Sequence, residues 1–227
     1  MTMMRDPEET IGNVKGMKIR QIKKTEYSVL PDFLYHAIFV PPGEEPPSRD
    51  VLHKPEISVY INNFGQKTDC GVVAELNGKI IGAAWTRIIP AYGHIDEETP
   101  ELAMSVLPEH RNKGIGTKML KKLFELLAAK GYKQTSLSVQ KSNPAVRLYE
   151  RMGYETVCEN DEDFIMMKDL SKERQSYGMA LGLCFGSTIG TAIGVLTNNI
   201  GLWLSVGVGS GLALGSAWSV ASKKQKK

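Results

Sequence analysis

The chain has 227 residues, 23% of them charged and 42% hydrophobic, the balance of a globular protein and not of a disordered one. From Tyr177 to Ser222 there is no Asp, Glu, Lys or Arg, so all 25 acids lie upstream and four lysines follow in 223–227. Residues 1–176 therefore carry 24 basic against 25 acidic groups, a balance that excludes the basic field needed for general nucleic-acid binding.

Residues 1–16 mix acids, bases and Pro7 without an apolar run, so a flexible start and no secretory leader are expected. Cys70, Cys158 and Cys184 are odd in number and far apart, which fits a reducing compartment better than a disulfide framework. His36, His53, His94 and His110 lack close ligand spacing, so no metal site is expected.

Residues 17–170 alternate strand and helix signals. Met17–Lys24 reads as a strand, and a helix is expected from Ser28 or Asp32 through Ile38. The run Pro41-Pro42-Gly43-Glu44-Glu45-Pro46-Pro47 reads as a rigid loop, and Glu56–Asn63 as a short helix. Cys70–Leu76 and Lys79–Ile89 are strands joined by Asn77-Gly78, a strong hairpin signal. Glu101–Leu107 follows as a strand. Gly114–Lys130 is an amphipathic helix with Ile115, Met119, Leu123, Leu126 and Leu127 on one face and Gly131 as its stop. Gln134–Val139 is a strand, and Asn143 caps a helix that starts at Pro144 and ends at Gly153. Tyr154–Cys158 and Phe164–Lys168 are closing strands. Helical crossovers together with hairpins predict an α/β fold with a mixed sheet.

Chemistry concentrates between Val106 and Thr117. There the chain passes from a strand into a helix, whose first N–H groups are unpaired and whose dipole favours an anion. Gly114 and Gly116 leave the backbone bare, so an anionic oxygen can come close, and Arg111 and Lys113 add charge. The segment lacks the G-x-x-x-x-G-K-[ST] phosphate loop, and Met119 stands where the dinucleotide fingerprint has its third glycine. Two glycines opening a helix are also compatible with a plain turn.

Arg111-x-x-Gly114-x-Gly116 after a strand resembles the acyl-CoA loop of the GNAT family of N-acetyltransferases. Leu137-Ser138-Val139, followed by Asn143-Pro144-Ala145-Val146-Arg147-Leu148-Tyr149-Glu150-Arg151-Met152-Gly153-Tyr154, resembles that family's last segment. The likeness spans residues 17–170. It implies a GNAT fold, a mixed central sheet flanked by helices whose two central parallel strands splay apart around acetyl-CoA. It further implies that the backbone of Arg111, Asn112, Lys113, Gly114, Ile115, Gly116 and Thr117 holds the diphosphate. Val106 and Leu107 would offer backbone groups to the pantetheine amides, and Asn143 would contact the cofactor. Tyr149 would protonate the departing thiolate, a role a phenol within reach of sulfur can fill. Asn143 as a simple cap and Tyr149 as core packing stay open.

An amine acceptor must lose a proton before it attacks. The resemblance points to Glu101 as the base, acting through water. Asp96, Glu97, Glu98 and His94 lie nearby as an acidic rim, or as a solvated turn. Residues 41–55, with Arg49 and His53, occupy the place of a substrate loop; Phe39, Tyr60 and Trp85 are either pocket or core. The acceptor is expected among small amines, polyamines and peptides.

The charge-free segment holds two apolar blocks, 177–197 and 200–221, around Asn198-Asn199. Each is about the length of a helix that crosses a ~30 Å bilayer core. Gly178, Gly182, Gly186, Gly190 and Gly194 recur every fourth residue, as do Gly207, Gly211 and Gly215. Residues four apart share a helix face, so each helix offers a smooth groove for close approach, a pattern that resembles a glycine zipper. A transmembrane hairpin over 177–222 is expected, after a linker at 171–176 and before a basic tail at 223–227. Tyr177 and Trp218 would sit at one interface and Trp203 at the other. Lys172, Arg174 and the lysine tail favour the cytoplasmic side, so the soluble domain is expected in the cytoplasm, anchored to the bilayer, and the hairpin offers a surface for a homo-oligomer. Two functional readings stand: a tethered N-acetyltransferase, or a membrane-assembling hairpin whose domain binds CoA only as a regulatory module.

Overall fold

The computed structural model describes residues 16–221. The expected flexible N-terminus and the basic tail lie outside the described residues, as do the side chains of Tyr177 and Trp218. Contacts divide the chain into two compact units, Met1–Leu126 with Gln134–Asp169, and Leu127–Lys133 with Leu170–Lys227.

The first unit is built on a seven-stranded sheet. Its strands are β1 (Met17–Gln21), β2 (Cys70–Leu76), β3 (Lys79–Arg87), β4 (Glu101–Val106), β5 (Gln134–Gln140), β6 (Glu155–Glu159) and β7 (Asp163–Asp169), in the order β1-β2-β3-β4-β5-β7-β6. The β2–β3 hairpin turns at Asn77 (φ 51°) and Gly78 (φ 82°), the two positive angles that match the twist of paired strands. All neighbours are antiparallel except β4 and β5. Those two share a single bridge, Glu101 with Ser136, reinforced by Ser136 N–H donating to the Pro100 carbonyl at 3.1 Å. Beyond it the strands pair no further, which is the splay at the centre of the sheet.

One face of the sheet carries α1 (Leu30–Ala37) and the short α2 (Pro55–Ser58). Leu30, Phe33, Leu34 and Tyr60 pack there on Val73, Ala83 and Trp85. The Trp85 indole donates to the Tyr60 carbonyl at 2.9 Å, so Trp85 and Tyr60 belong to the core. The other face carries α3 (Ile115–Ala129), whose Ile115, Met119, Leu120, Leu123 and Phe124 are fully or nearly fully buried. Met119 lies so close to Gly82 that a methyl group there would be 3.2 Å from its sulfur.

Several boundaries differ from the sequence reading for physical reasons. The stretch 41–55, which the resemblance makes a substrate loop, contains a 3₁₀ turn, Arg49–His53, capped by the Ser48 hydroxyl accepting from Asp50 N–H. The helix expected from Pro144 begins only at Val146, as α4 (Val146–Arg151). The Asn143 side chain accepts from Ala145 N–H at 2.9 Å, which stabilises a turn ahead of the helix.

In the second unit, α5 (Ser171–Leu196) and α6 (Ile200–Ala221) form a hairpin. α5 starts at Ser171, so residues 171–176, read as a linker, are helical. Thr197 caps α5, and Asn198 takes a φ of 55° in the tight turn. The glycine faces meet directly. A methyl group at Gly182 would collide with the Gly211 carbonyl, one at Gly186 with that of Gly207, and one at Gly215 with that of Gly178. These faces are consumed within the hairpin, so self-association would have to use another surface. The outward faces are apolar, with Phe185 67%, Leu196 86% and Leu214 70% exposed.

Candidate active site

Where β4 and β5 part, a cavity of about 760 Å³ opens. It is lined by the end of β4, the start of α3, the turn into α4, and the chain from Tyr35 to Val40 with Pro46 and Pro47. Of the residues singled out from the sequence, it brings together Val106, Arg111, Asn112, Gly114, Ile115, Gly116, Thr117, Asn143 and Tyr149.

The α3 entry has the form of an anion cradle. Asn112 (φ 59°) and Gly114 (φ 72°) turn the chain sharply into the helix. The first intrahelical bond is Lys118 N–H to the Gly114 carbonyl, at 3.2 Å. The N–H groups of Ile115, Gly116 and Thr117 are therefore the orphan donors of the first turn, on the positive end of a 15-residue helix. Gly116 also lets this turn sit close to its neighbours: a methyl group there would be 3.2 Å from Leu148 and Met104 side chains.

Three of the singled-out residues are not among those lining the cavity. Leu107 donates its N–H to the Ile81 carbonyl at 3.0 Å and accepts from His110 N–H at 2.9 Å. Its N–H is thus committed to β3 and its carbonyl to the turn at His110. The Lys113 ammonium turns back to donate to the Glu109 carbonyl at 2.8 Å. Glu101 is discussed below. Arg111 lines the cavity as a strut: its Nε donates to the Val106 carbonyl at 3.0 Å and Nη2 to the His36 carbonyl at 3.1 Å. It ties the end of β4 to the end of α1.

Tyr149 stands on α4 with its ring edge-on to Tyr154, centroids 5.8 Å apart. Burial alone pushes its phenol up to about 12. A phenol so placed holds its proton at neutral pH and releases it only to a strongly developing negative charge.

Glu101 begins β4 and is 2% exposed. Its Oε1 accepts the Tyr60 hydroxyl and the Gly93 N–H, the latter at 2.8 Å. Burial raises its pKa, opposed by those two hydrogen bonds and by His94. Gly93 fits because only a hydrogen can face Leu137 and Ser138 there; a methyl group would be 2.7 Å from their backbone. Of the expected acidic rim, Asp96 accepts from Glu98 N–H at 2.8 Å and lies below its ordinary pKa, chiefly through Thr99.

Pro46 and Pro47 of the 41–55 stretch line the cavity, while sequence reasoning missed their wall partners Tyr35 and His36 and the lining residues His110 and Arg151. Tyr35 donates to the Pro47 carbonyl at 2.8 Å, and Arg49, paired with Asp32 at 2.6 Å, lies over its ring at 5.0 Å. The proline run was a visible signal, whereas its partner Tyr35 was not. Phe39 lines the cavity. Among the described residues no group of three or more His, Cys, Asp or Glu is arranged to hold a metal.

Comparison with known proteins gives the family and the fold. The model of the acetyltransferase (GNAT) family matches residues 34–154. An acetyltransferase of Pectobacterium atrosepticum is 32% identical over 104 residues, covering 45% of this chain and 69% of that protein. One from Yersinia pestis is 24% identical over 155 residues, 66% of this chain and 93% of its own. The crystal structure of an N-acetyltransferase from Staphylococcus aureus superposes with a TM-score of 0.52 at 21% identity, over 68% of this chain and 98% of that one, a likeness of fold. The chain belongs to the acetyltransferase (GNAT) family. It is an acetyl-CoA-dependent N-acetyltransferase, with acetyl-CoA as co-substrate.

Proposed function

We propose that this chain moves the acetyl group of acetyl-CoA onto a primary amine at a bilayer surface, to which α5 and α6 anchor it. The observation that carries the catalytic half is one cavity of about 760 Å³ with the α3 N-terminus and Tyr149 in its wall. In this reading the N–H groups of residues 115–117 bind the diphosphate. Asn143 and the β4 end at Val106 bound the pantetheine arm, Arg111 fixes the wall, and Tyr149 protonates the departing thiolate. Glu101 is the base for the amine, since its buried carboxylate gains by taking a proton.

The anchoring half is supported by what the hairpin leaves outside. Both helices are long and apolar enough to cross a membrane, with 11% and 17% of the residues in their most apolar windows buried. Every Ser and Thr hydroxyl from Ser187 to Ser216 donates to a carbonyl three or four residues back in its own helix. Such internal satisfaction is what hydrocarbon requires. The anchored domain then lies in the cytoplasm, with Lys172 at the membrane entry. An acidic neighbourhood around Glu101 favours a cationic acceptor over a neutral one.

The test uses the full chain in lipid nanodiscs with acetyl-CoA and a panel of diamines, polyamines, peptide N-termini and lysine, following free thiol. One thiol per acetylated amine is expected for at least one class. Binding of acetyl-CoA without transfer to any amine would leave only a CoA-binding module and overturn the reading.

A further inference from the structure

The cavity has two kinds of wall. One is made by the α3 entry, the end of β4 and the turn into α4, which the reading above gives to the cofactor. The other is the chain from Tyr35 to Val40 with Pro46 and Pro47. Ile38, Phe39 and Val40 are half-buried there and are not among the side chains packed on the α1 core. They border the cavity as apolar surface, the material from which small-molecule sites are chiefly built.

Charge is distributed as unevenly. Among the described residues that line the cavity there is no Asp or Glu. The bases there are Arg111, Arg151, His36 and His110. The acids nearest the apolar wall in sequence are elsewhere: Asp32 is paired with Arg49 at 2.6 Å, and Glu44 and Glu45 are exposed on the loop before Pro46. Two lining hydroxyls are committed as donors, Tyr35 to the Pro47 carbonyl at 2.8 Å and Ser105 to the Phe33 carbonyl at 2.6 Å. The Tyr35 ring, whose face could attract a cation, already carries Arg49 at 5.0 Å. A second ammonium brought against this wall would lose hydration with no carboxylate to replace it. An alkyl or aryl group in the same place gains by leaving water.

We propose that the acceptor is a primary monoamine with an apolar or aromatic body, and that the Tyr35–Pro47 wall selects it against diamines and polyamines. The inference rests on the acetyltransferase reading above and narrows it: the cationic acceptor carries its charge on the reacting nitrogen alone. Phe39 is a specificity-determining residue, because it offers the acceptor body a ring and no charge.

The test uses the full chain in lipid nanodiscs and two acceptors of equal length, hexylamine and hexamethylenediamine, with free thiol followed. Empty nanodiscs added at constant protein correct for amine taken up by lipid. In the parent, kcat/KM should favour hexylamine by roughly tenfold or more, through KM, the weight of one misfit group in an apolar pocket. The advantage should shrink as the pH rises toward ~10.4, where the distal ammonium loses its charge. Phe39→Glu places a carboxylate in the wall and should narrow or invert the preference. Equal or better turnover of the diamine by the parent, or an unchanged preference in folded Phe39→Glu, would overturn the proposal. If neither amine yields thiol, the wider amine panel decides the acetyltransferase reading, and saturation-transfer NMR of both amines on the CoA-loaded chain decides this one. Tighter binding of hexylamine supports the apolar wall; tighter binding of the diamine overturns it.

Discussion

Two carboxylates here are tuned in opposite directions, Glu26 by its pairing with Arg20 and Glu101 by burial. Glu26 accepts two guanidinium N–H bonds from Arg20, both at 2.7 Å, and the Lys23 N–H at 2.9 Å. The Arg20 bonds come first in holding its carboxyl down, from 4.5 to about 2. Its folded form therefore binds a proton less readily than the unfolded chain. Its contribution to stability is full above 4.5 and is lost as the pH falls through about 2. Glu101 has the reverse sign: burial raises it, so its contribution declines as the pH rises above its unfolded value. Glu26→Gln should lower the thermal midpoint at pH 7 and flatten its fall between pH 4.5 and 2; an unchanged acid limb would show that the Arg20 pairing is not maintained in solution. At Tyr149, loss of the hydroxyl in Tyr149→Phe should lower kcat by about 10²-fold with acetyl-CoA affinity little changed, as expected when a general acid is removed. Because burial holds the phenol near 12, the parent should show no alkaline fall in kcat from this group below that range. Should kcat in Tyr149→Phe stay within about twofold, the ring serves packing against Tyr154 and water supplies the proton.

At the scale of elements, α3 was legible because its apolar residues recur on one face between Gly114 and Gly131, and the β2–β3 hairpin because Asn77-Gly78 takes two positive φ angles. The segment from Asn143 reaches the cavity as expected, but its local structure was misread. Asn143 forms its own side-chain turn, and the helix loses its first two positions. The Tyr35–Pro47 wall was not legible. It depends on Arg111 reaching His36, 75 residues away, a contact no local pattern encodes. The hairpin was legible through its period of four, and the close backbone contact gives that period its reason. Gly186 faces the Gly207 carbonyl, a backbone atom that cannot swing aside, whereas nothing lies within 4 Å of a methyl group built at Gly209. Gly186→Ile should therefore separate α5 from α6, and Gly209→Ile should not, though both add the same hydrophobic bulk. Amide hydrogen exchange in detergent micelles reads this directly. Protection across 182–211 should fall in the first variant alone; equal protection in both would mean that the glycine contact does not hold the pair.

At the scale of the molecule, the two units distribute their apolar side chains in opposite ways. In the first, Trp85, Phe124 and Leu137 are 1% exposed and polar groups face water, as in any soluble domain. In the second the order is inverted: small residues form the inner contact and Phe185, Ile189, Leu202 and Leu214 face outward. Covering each of those side chains would be favourable by up to about 1.5–3 kcal/mol, which supports the proposed apolar surrounding. If the proposed anchoring holds, two such helices, of 26 and 22 residues, insert far more firmly than a basic tail alone would hold the chain. The full chain should remain in the membrane pellet through carbonate extraction. On the anchoring proposal, Lys172 before the hairpin and the lysines of 223–227 after it favour the cytoplasmic side for both ends, and the turn at Asn198-Asn199 is then expected on the far side. A single Asn198→Cys reporter tests the topology once Cys158 and Cys184, both exposed, are replaced by Ser; Cys70 is buried and can stay. In sealed vesicles with the cytoplasmic face outward, an impermeant maleimide should fail to label position 198 until detergent is added. Labelling before detergent, or release of the chain by carbonate, would place the hairpin on the surface and make a protein partner, not the bilayer, the cover for its apolar faces.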